Sequence, residues 1–144
     1  MKKLHIKKVQ DKNDFKKTIA IRKNVFIKEQ KVPPDIEIDG LDPEAEHFIA
    51  YFNNKPIGCA RIRTKDNYAK LERIAIIKEY RGKGYGAELT KFLINYCKQK
   101  IFKEICLHSQ IYISNFYKKF GFKSKGKHFF EAGIEHVEMF MKIN

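Results

Sequence analysis

The chain has 144 residues, of which 43% are hydrophobic and 33% charged, and its formal net charge is +13. That length suits a single domain, 1–144, with a real core, and that balance excludes a disordered chain. The charge would draw any polyanion, but the lysines are spread along the whole chain rather than gathered in one block, so charge alone names no partner.

Taken in chain order, "HIKKV" (5–9) reads as a first strand. "DKNDFKKTIAIRKNVFIKEQ" (11–30) reads as a helix capped by Asp11 or Asn13, with Phe15, Ile19, Arg22 and Phe26 at spacings of three and four. "KVPPDIEIDGLDPE" (31–44) is a loop, opened by two prolines that end the helix. "EHFIAYF" (46–52) and "KPIGCARIRT" (55–64) are strands, with a hairpin signal at Asn53 and Asn54. "AKLERIAII" (69–77) is another strand. "GAELTKFLINYCKQK" (86–100) is an amphipathic helix with Leu89, Phe92, Leu93, Tyr96 and Cys97 on one face. "EICLHS" (104–109) is a strand, and "IYISNFYKKF" (111–120) a short helix stopped by Gly121. "GFKSKGK" (121–127) and "EHVEMFMKI" (135–143) close the chain as two strands. The order β-α-β-β-β-α-β-α-β-β predicts an α/β (α+β) domain around one largely antiparallel sheet, with a crossover helix after the fourth strand.

No apolar run approaches the roughly 20 residues that span a bilayer, and "MKKLHIKK" has no apolar stretch behind its lysines, so neither membrane span nor signal peptide is expected. Cys59, Cys97 and Cys106 are an odd count without metal-ligand spacing; they read as buried free thiols in a reducing cytoplasm. His47, His128 and His136 have no ligand-like spacing either, and no metal site is expected.

Chemistry concentrates in "YRGKGYGAEL" (80–89), between a strand and a helix. A helix start has free N–H groups and a partial positive charge, both of which stabilise an anion. Gly82, Gly84 and Gly86 bare the backbone to an approaching phosphate, and Arg81 can add a charged donor. A tight glycine turn with no ligand is the competing reading. A P-loop would need Gly-Lys-Ser/Thr, whereas Gly86 is followed by Ala87 and Glu88. Gly82, Gly84 and Ala87 do satisfy G-x-G-x-x-G/A, but a dinucleotide site needs an acidic residue ending the next strand, and that strand ends "CLHS".

Arg81-Gly82-Lys83-Gly84-Tyr85-Gly86 also resembles the R/Q-x-x-G-x-G/A signature of the GNAT superfamily of acyl-CoA-dependent N-acetyltransferases. "LERIAI" (71–76) resembles that family's fourth strand and "FYKKFGF" (116–122) its late motif. "RKNVFIKEQKVP", "EIDGLD", "AEHFIAY" and "HFFEAGIEHVEM" are similar to the ElaA-like and YjcF-like branch, so the likeness covers essentially the whole chain. It implies a mixed, mostly antiparallel sheet of six to seven strands with flanking helices. The fourth and fifth strands would splay, so that the pantetheine arm of coenzyme A pairs with backbone groups of Ile74, Ala75 and Ile76. The pyrophosphate would lie on the N–H groups from Arg81 through Lys83 and Tyr85 to Gly86, and an N–H near Ile76 would face the thioester oxygen as an oxyanion donor. "LERIAI" also reads as an apolar core strand.

The same resemblance makes Tyr117 the acid that protonates the departing thiolate, although Ile113, Phe116, Tyr117 and Phe120 also read as the apolar face of a helix. Asn115 or Gln110 would hold the coenzyme. An acceptor ammonium must lose a proton before it attacks. Glu72, just before the splay, leads as the base, with an ion pair to Arg61 or Arg73 as its alternative role; His108 competes, or packs in the core. Glu37, Asp39 and Asp42 would line the acceptor cleft or form a solvated acidic loop.

The implied activity is transfer of the acetyl group of acetyl-CoA, as cosubstrate, to a primary amine of a small-molecule acceptor, by direct attack in a ternary complex. Glucosamine 6-phosphate and a peptide amine are alternative acceptors. A basic nucleic-acid-binding module and a non-catalytic coenzyme A sensor are alternatives of another class; against the first, the chain has no helix-turn-helix spacing, zinc ligands or RNA-recognition aromatics. Exposed sheet edges make a homodimer a further expectation.

Overall fold

The computed structural model describes residues 4–143. Seven strands form one sheet: β1 (Leu4–Lys8), β2 (Glu46–Phe52), β3 (Lys55–Lys65), β4 (Tyr68–Ile76), β5 (Glu104–Gln110), β6 (Lys123–Glu131) and β7 (Ile134–Lys142). Their spatial order is β1-β2-β3-β4-β5-β7-β6. Every neighbouring pair is antiparallel except β4 and β5, which a crossover through α3 (Tyr85–Lys98) makes parallel. The remaining helices are α1 (Lys12–Arg22), α2 (Pro34–Glu37) and α4 (Ser114–Lys118).

Local chemistry accounts for most of these boundaries. Asp11 caps α1 by accepting the Asp14 N–H at 2.7 Å. Asn53 and Asn54 take φ of 48° and 70°, the double left-handed turn that joins β2 to β3 without splaying them. The expected helix over 11–30 has two parts, because from Lys23 to Glu29 the backbone widens into a π-helix, with Gln30 N–H bonding the Val25 carbonyl at 3.0 Å.

The inward face of α1 also differs from the apolar spacing. Asp14, Thr18, Ile21 and Arg22 are buried, with Val25 continuing the line. Phe15 and Ile19 are only half-buried. The polar members have partners inside: Asp14 takes a hydrogen bond from the Tyr51 hydroxyl and an ion pair from Lys7. The predicted loop 31–44 holds α2 and a 3-10 turn, Asp42–Glu44. The closing hairpin is longer than predicted, since β6 runs to Glu131.

Two apolar clusters hold the sheet. One brings Leu89, Leu93 and Cys97 of α3 against Phe48, Ile62, Leu71, Leu107 and Met139. The other brings Ile21 and Val25 against Ala50, Ile57, Cys59, Ala75 and Ile77. All three cysteines are buried thiols, and burial pushes each above the ordinary thiol range. No described helix is long and apolar enough to cross a membrane.

Candidate active site

Between β4 and β5 the ladder runs from Tyr68/Glu104 to Leu71/Leu107 and stops. Residues 72–76 of β4 have no partner on β5, so the strands part where the family resemblance implies a splay. A bulge on the other edge of β4 coincides with the parting. Pairing with β3 slips between Cys59/Ala75 and Arg61/Glu72, and Arg73 takes a φ of 55° inside the strand. Beyond the bulge the Ile77 N–H donates to the Ile57 carbonyl at 2.9 Å. By two-residue alternation Ala75 then turns its groups to β3, and Ile74 and Ile76 turn theirs to the gap. Gly58, opposite Ile76, is required here: an added Cβ would lie 2.7 Å from Ile76 Cδ1 and 3.1 Å from the Ala75 carbonyl oxygen.

The gap leads to the glycine loop. Gly82 and Gly84 have φ of 79° and 86°, and a Cβ built on either would meet nothing within 4 Å. The bend is open rather than filled by the chain's own atoms. Gly84 precedes α3, whose first-turn N–H groups have no partner within the helix. The flanking side chains are engaged elsewhere. Arg81 donates through Nε to the Ile76 carbonyl at 2.8 Å, and its two other nitrogens reach Glu29 at 2.5 and 2.8 Å. Lys83 lies over the Tyr80 ring, and Tyr85 packs on Phe52 at 5.3 Å. A Cβ built on Gly86 would meet Ile76 and Phe116 at ordinary contact distance.

Beside the gap is a cleft of about 570 Å³ whose walls include Glu72, Ile74, His108, Gln110 and Tyr117. Asn115 is exposed on α4 and outside those walls. Gln110 Nε2 donates to Gln30 Oε1, a side-chain amide oxygen, at 3.1 Å, tying the end of β5 to the segment that leaves the π-helix. Tyr117 is 7% exposed, its ring edge-on to Phe116 and Phe122. Burial pushes its hydroxyl up to about 12, so it stays protonated at neutral pH.

Glu37, Asp39 and Asp42 are ion-paired rather than free. Glu37 pairs with Arg22 and with Arg73 Nε at 2.8 Å, an ion contact whose angle falls short of a hydrogen bond. Asp39 binds Arg61, and Asp42 binds both Arg22 and Arg61. Glu37 and Asp39 do line the cleft; Asp42 does not. Glu72 belongs to the same network, with Arg61, Arg63 and Lys70 at 2.8, 2.8 and 3.2 Å. Burial alone would raise its carboxyl, but Arg63, Arg61 and Lys70 outweigh burial and hold it down to about 2. Arg73, the other partner considered for Glu72, turns instead to the 36–39 loop. Sequence spacing missed Glu131, which lines the cleft from the end of β6, and treated His136 only as a non-ligand. Both belong to the "HFFEAGIEHVEM" stretch, whose place opposite β5 depends on the strand order.

Comparison with known proteins agrees with this geometry. Residues 12–143 match the family model described as "Acetyltransferase (GNAT) domain". The N-acetyltransferase YjcF of Bacillus subtilis is 39% identical over 131 residues, covering 90% of this chain and 94% of its own. Escherichia coli ElaA superposes with a TM-score of 0.86 at 24% identity, over 95% of this chain and 98% of its own. A GNAT acetyltransferase of Elizabethkingia anophelis, solved with acetyl-CoA bound, gives 0.73 at 18% identity, over 97% and 98% of the two chains. An open glycine bend, a forked pair of strands and a family match over nearly the whole length converge: the chain belongs to the GNAT family of N-acetyltransferases.

Proposed function

We propose that this protein moves the acetyl group of acetyl-CoA to a primary amine of a small molecule, by direct attack within a ternary complex. The observation that carries this reading is the unzipped edge of β4, which ends at the open bend of Gly82 and Gly84 beside a cleft containing Tyr117. The N–H and C=O of Ile74 and the N–H of Ile76 offer an extended thioester arm the ladder that β5 does not complete. The pyrophosphate takes the N–H groups at the start of α3. Acetyl-CoA bound to the Elizabethkingia neighbour supports the same donor here.

Arg81 must divide its attention, because Glu29 and the Ile76 carbonyl hold its guanidinium. Its part is to brace the loop rather than to grip phosphate. Tyr117, kept neutral by burial, supplies a proton to sulfur as the C–S bond breaks. The cleft walls mix apolar side chains with a closed ion network, which suits a small acceptor more than a flat peptide.

Calorimetry with acetyl-CoA, followed by thiol release across a panel of primary amines, tests the proposal. Binding in the micromolar range with amine-dependent release is expected. No binding at millimolar acetyl-CoA would remove the reading.

A further inference from the structure

Three strands bring a second constellation to the cleft. His108 Nδ1, on β5, is 3.0 Å from Glu131 Oε2, on β6. The other oxygen of Glu131 is 4.0 Å from His136 Nε2, on β7. Phe129 is edge-on to His108 at 4.9 Å and stacked near His136 at 6.0 Å. His108, Glu131 and His136 all line the cleft that contains Tyr117. The sheet order explains the meeting. β7 lies between β5 and β6, pairing Gln110 with His136 on one side and Phe129 with His136 on the other.

Hydrogen-bond roles follow from the partners. A carboxylate only accepts, so His108 Nδ1 carries the hydrogen toward Glu131, and in the neutral ring that leaves the lone pair on Nε2. The Ile134 carbonyl likewise only accepts, at 2.7 Å, so His136 Nδ1 also carries a hydrogen. His136 is 8% exposed, a fixed second neighbour for the same carboxylate. Glu131 is held below the ordinary carboxylate range, first by its hydrogen bond from His108. Glu72 is the weaker acceptor, because three cations already satisfy its charge.

We propose that His108 takes the proton of the acceptor ammonium through Nε2, and that Glu131 is the positioning residue that orients it. This rests on the acetyl-transfer reading above. The ammonium gives one proton to His108. Its nitrogen then bonds to the thioester carbonyl carbon, and the C–S bond breaks. The thiolate takes the Tyr117 hydroxyl proton, and Tyr117 is restored by the second proton lost from nitrogen. An amide, a thiol and one proton on His108 result, and His108 releases that proton to water. The other charged groups facing His108 are Glu138, its cross-strand partner on β7, and Lys70 and Glu72 on β4.

Steady-state thiol release from acetyl-CoA, from pH 5.5 to 9.5, tests this with the most active amine of a panel of alkylamines, amino acids and hexosamines. His108→Asn should lower kcat about 100-fold, the lower end for general-base loss, with acetyl-CoA affinity by calorimetry within about twofold. Glu131→Gln should lower kcat about tenfold at pH 7 and move the acid limb of the profile to lower pH, because an amide carries no charge to stabilise an imidazolium. His108→Asn activity within about threefold of the unaltered protein, or an equal Glu131→Gln loss at every pH, overturns the proposal and leaves acetyl transfer standing. Failure of the unaltered protein to bind acetyl-CoA overturns the acetyl-transfer reading itself.

Discussion

Arg22 Nε, at the end of α1, donates to Glu37 Oε2 at 2.6 Å, and the two side chains are only 1% and 2% exposed. Removing one member of such a pair strands a charge away from water, which costs about 3–5 kcal/mol. Arg22→Met should therefore destabilise the fold by about 3 kcal/mol in urea titrations and loosen the 33–42 loop toward proteolysis, because Arg22 also holds Asp42. A change under about 1 kcal/mol would mean that Arg73 alone suffices for Glu37.

Acid should act through the same network. Glu72 is held down to about 2 from an ordinary 4.5, and Asp39 and Asp42 are also lowered. A carboxyl depressed by folding stabilises the protein above its unfolded value, and that contribution disappears as pH falls through the folded value. The urea midpoint should thus decline from about pH 4.5 toward pH 2, with Glu72 contributing ~3 kcal/mol across the window. Glu72→Gln should flatten the decline; an unchanged slope would show that Glu72 is not among its causes.

Tyr117→Phe keeps the ring in its contacts with Phe116 and Phe122 and removes only the hydroxyl. The expected result is a kcat lower by about 100-fold, with acetyl-CoA affinity within about threefold. Equal turnover by the two proteins would take the hydroxyl out of the reaction.

Gly84→Ala puts a Cβ into open space but forces a φ of 86° on an L-residue. The strain is about 1–2 kcal/mol, and the bend must relax or tighten to relieve it. Acetyl-CoA affinity should fall at least about tenfold by calorimetry. Circular dichroism should be unchanged, because the rest of α3 keeps its packing.

Strand positions were legible because apolar alternation is a local property, and Asn53-Asn54 announced its own turn. Arg73 gave no such notice. An arginine at φ 55° has no sequence signature; ion contacts to Glu37 and Asp39, more than 30 residues away, hold it there. The face of α1 was misread for a related reason. Asp14 looks like a solvent residue until Tyr51 is placed beside it, and Arg22, although on the predicted stripe, owes its burial to Glu37. Glu131 needed the order β5-β7-β6, which no spacing along the chain encodes.

The π-helix from Lys23 to Glu29 has a consequence for insertions and deletions. A π turn contains one residue more than an α turn, so excising one residue there would let the helix relax to ordinary winding. Each residue of an α-helix advances the chain by about 100°. The wide segment already absorbs about one residue's worth of rotation, so residues on either side of a single excision would keep nearly their present azimuth. Excising a second residue would not be absorbed: it would turn Glu29 away from Arg81 and Gln30 from Gln110, releasing the glycine bend and the cleft mouth together. One residue of this helix is thus expendable, and the next is not.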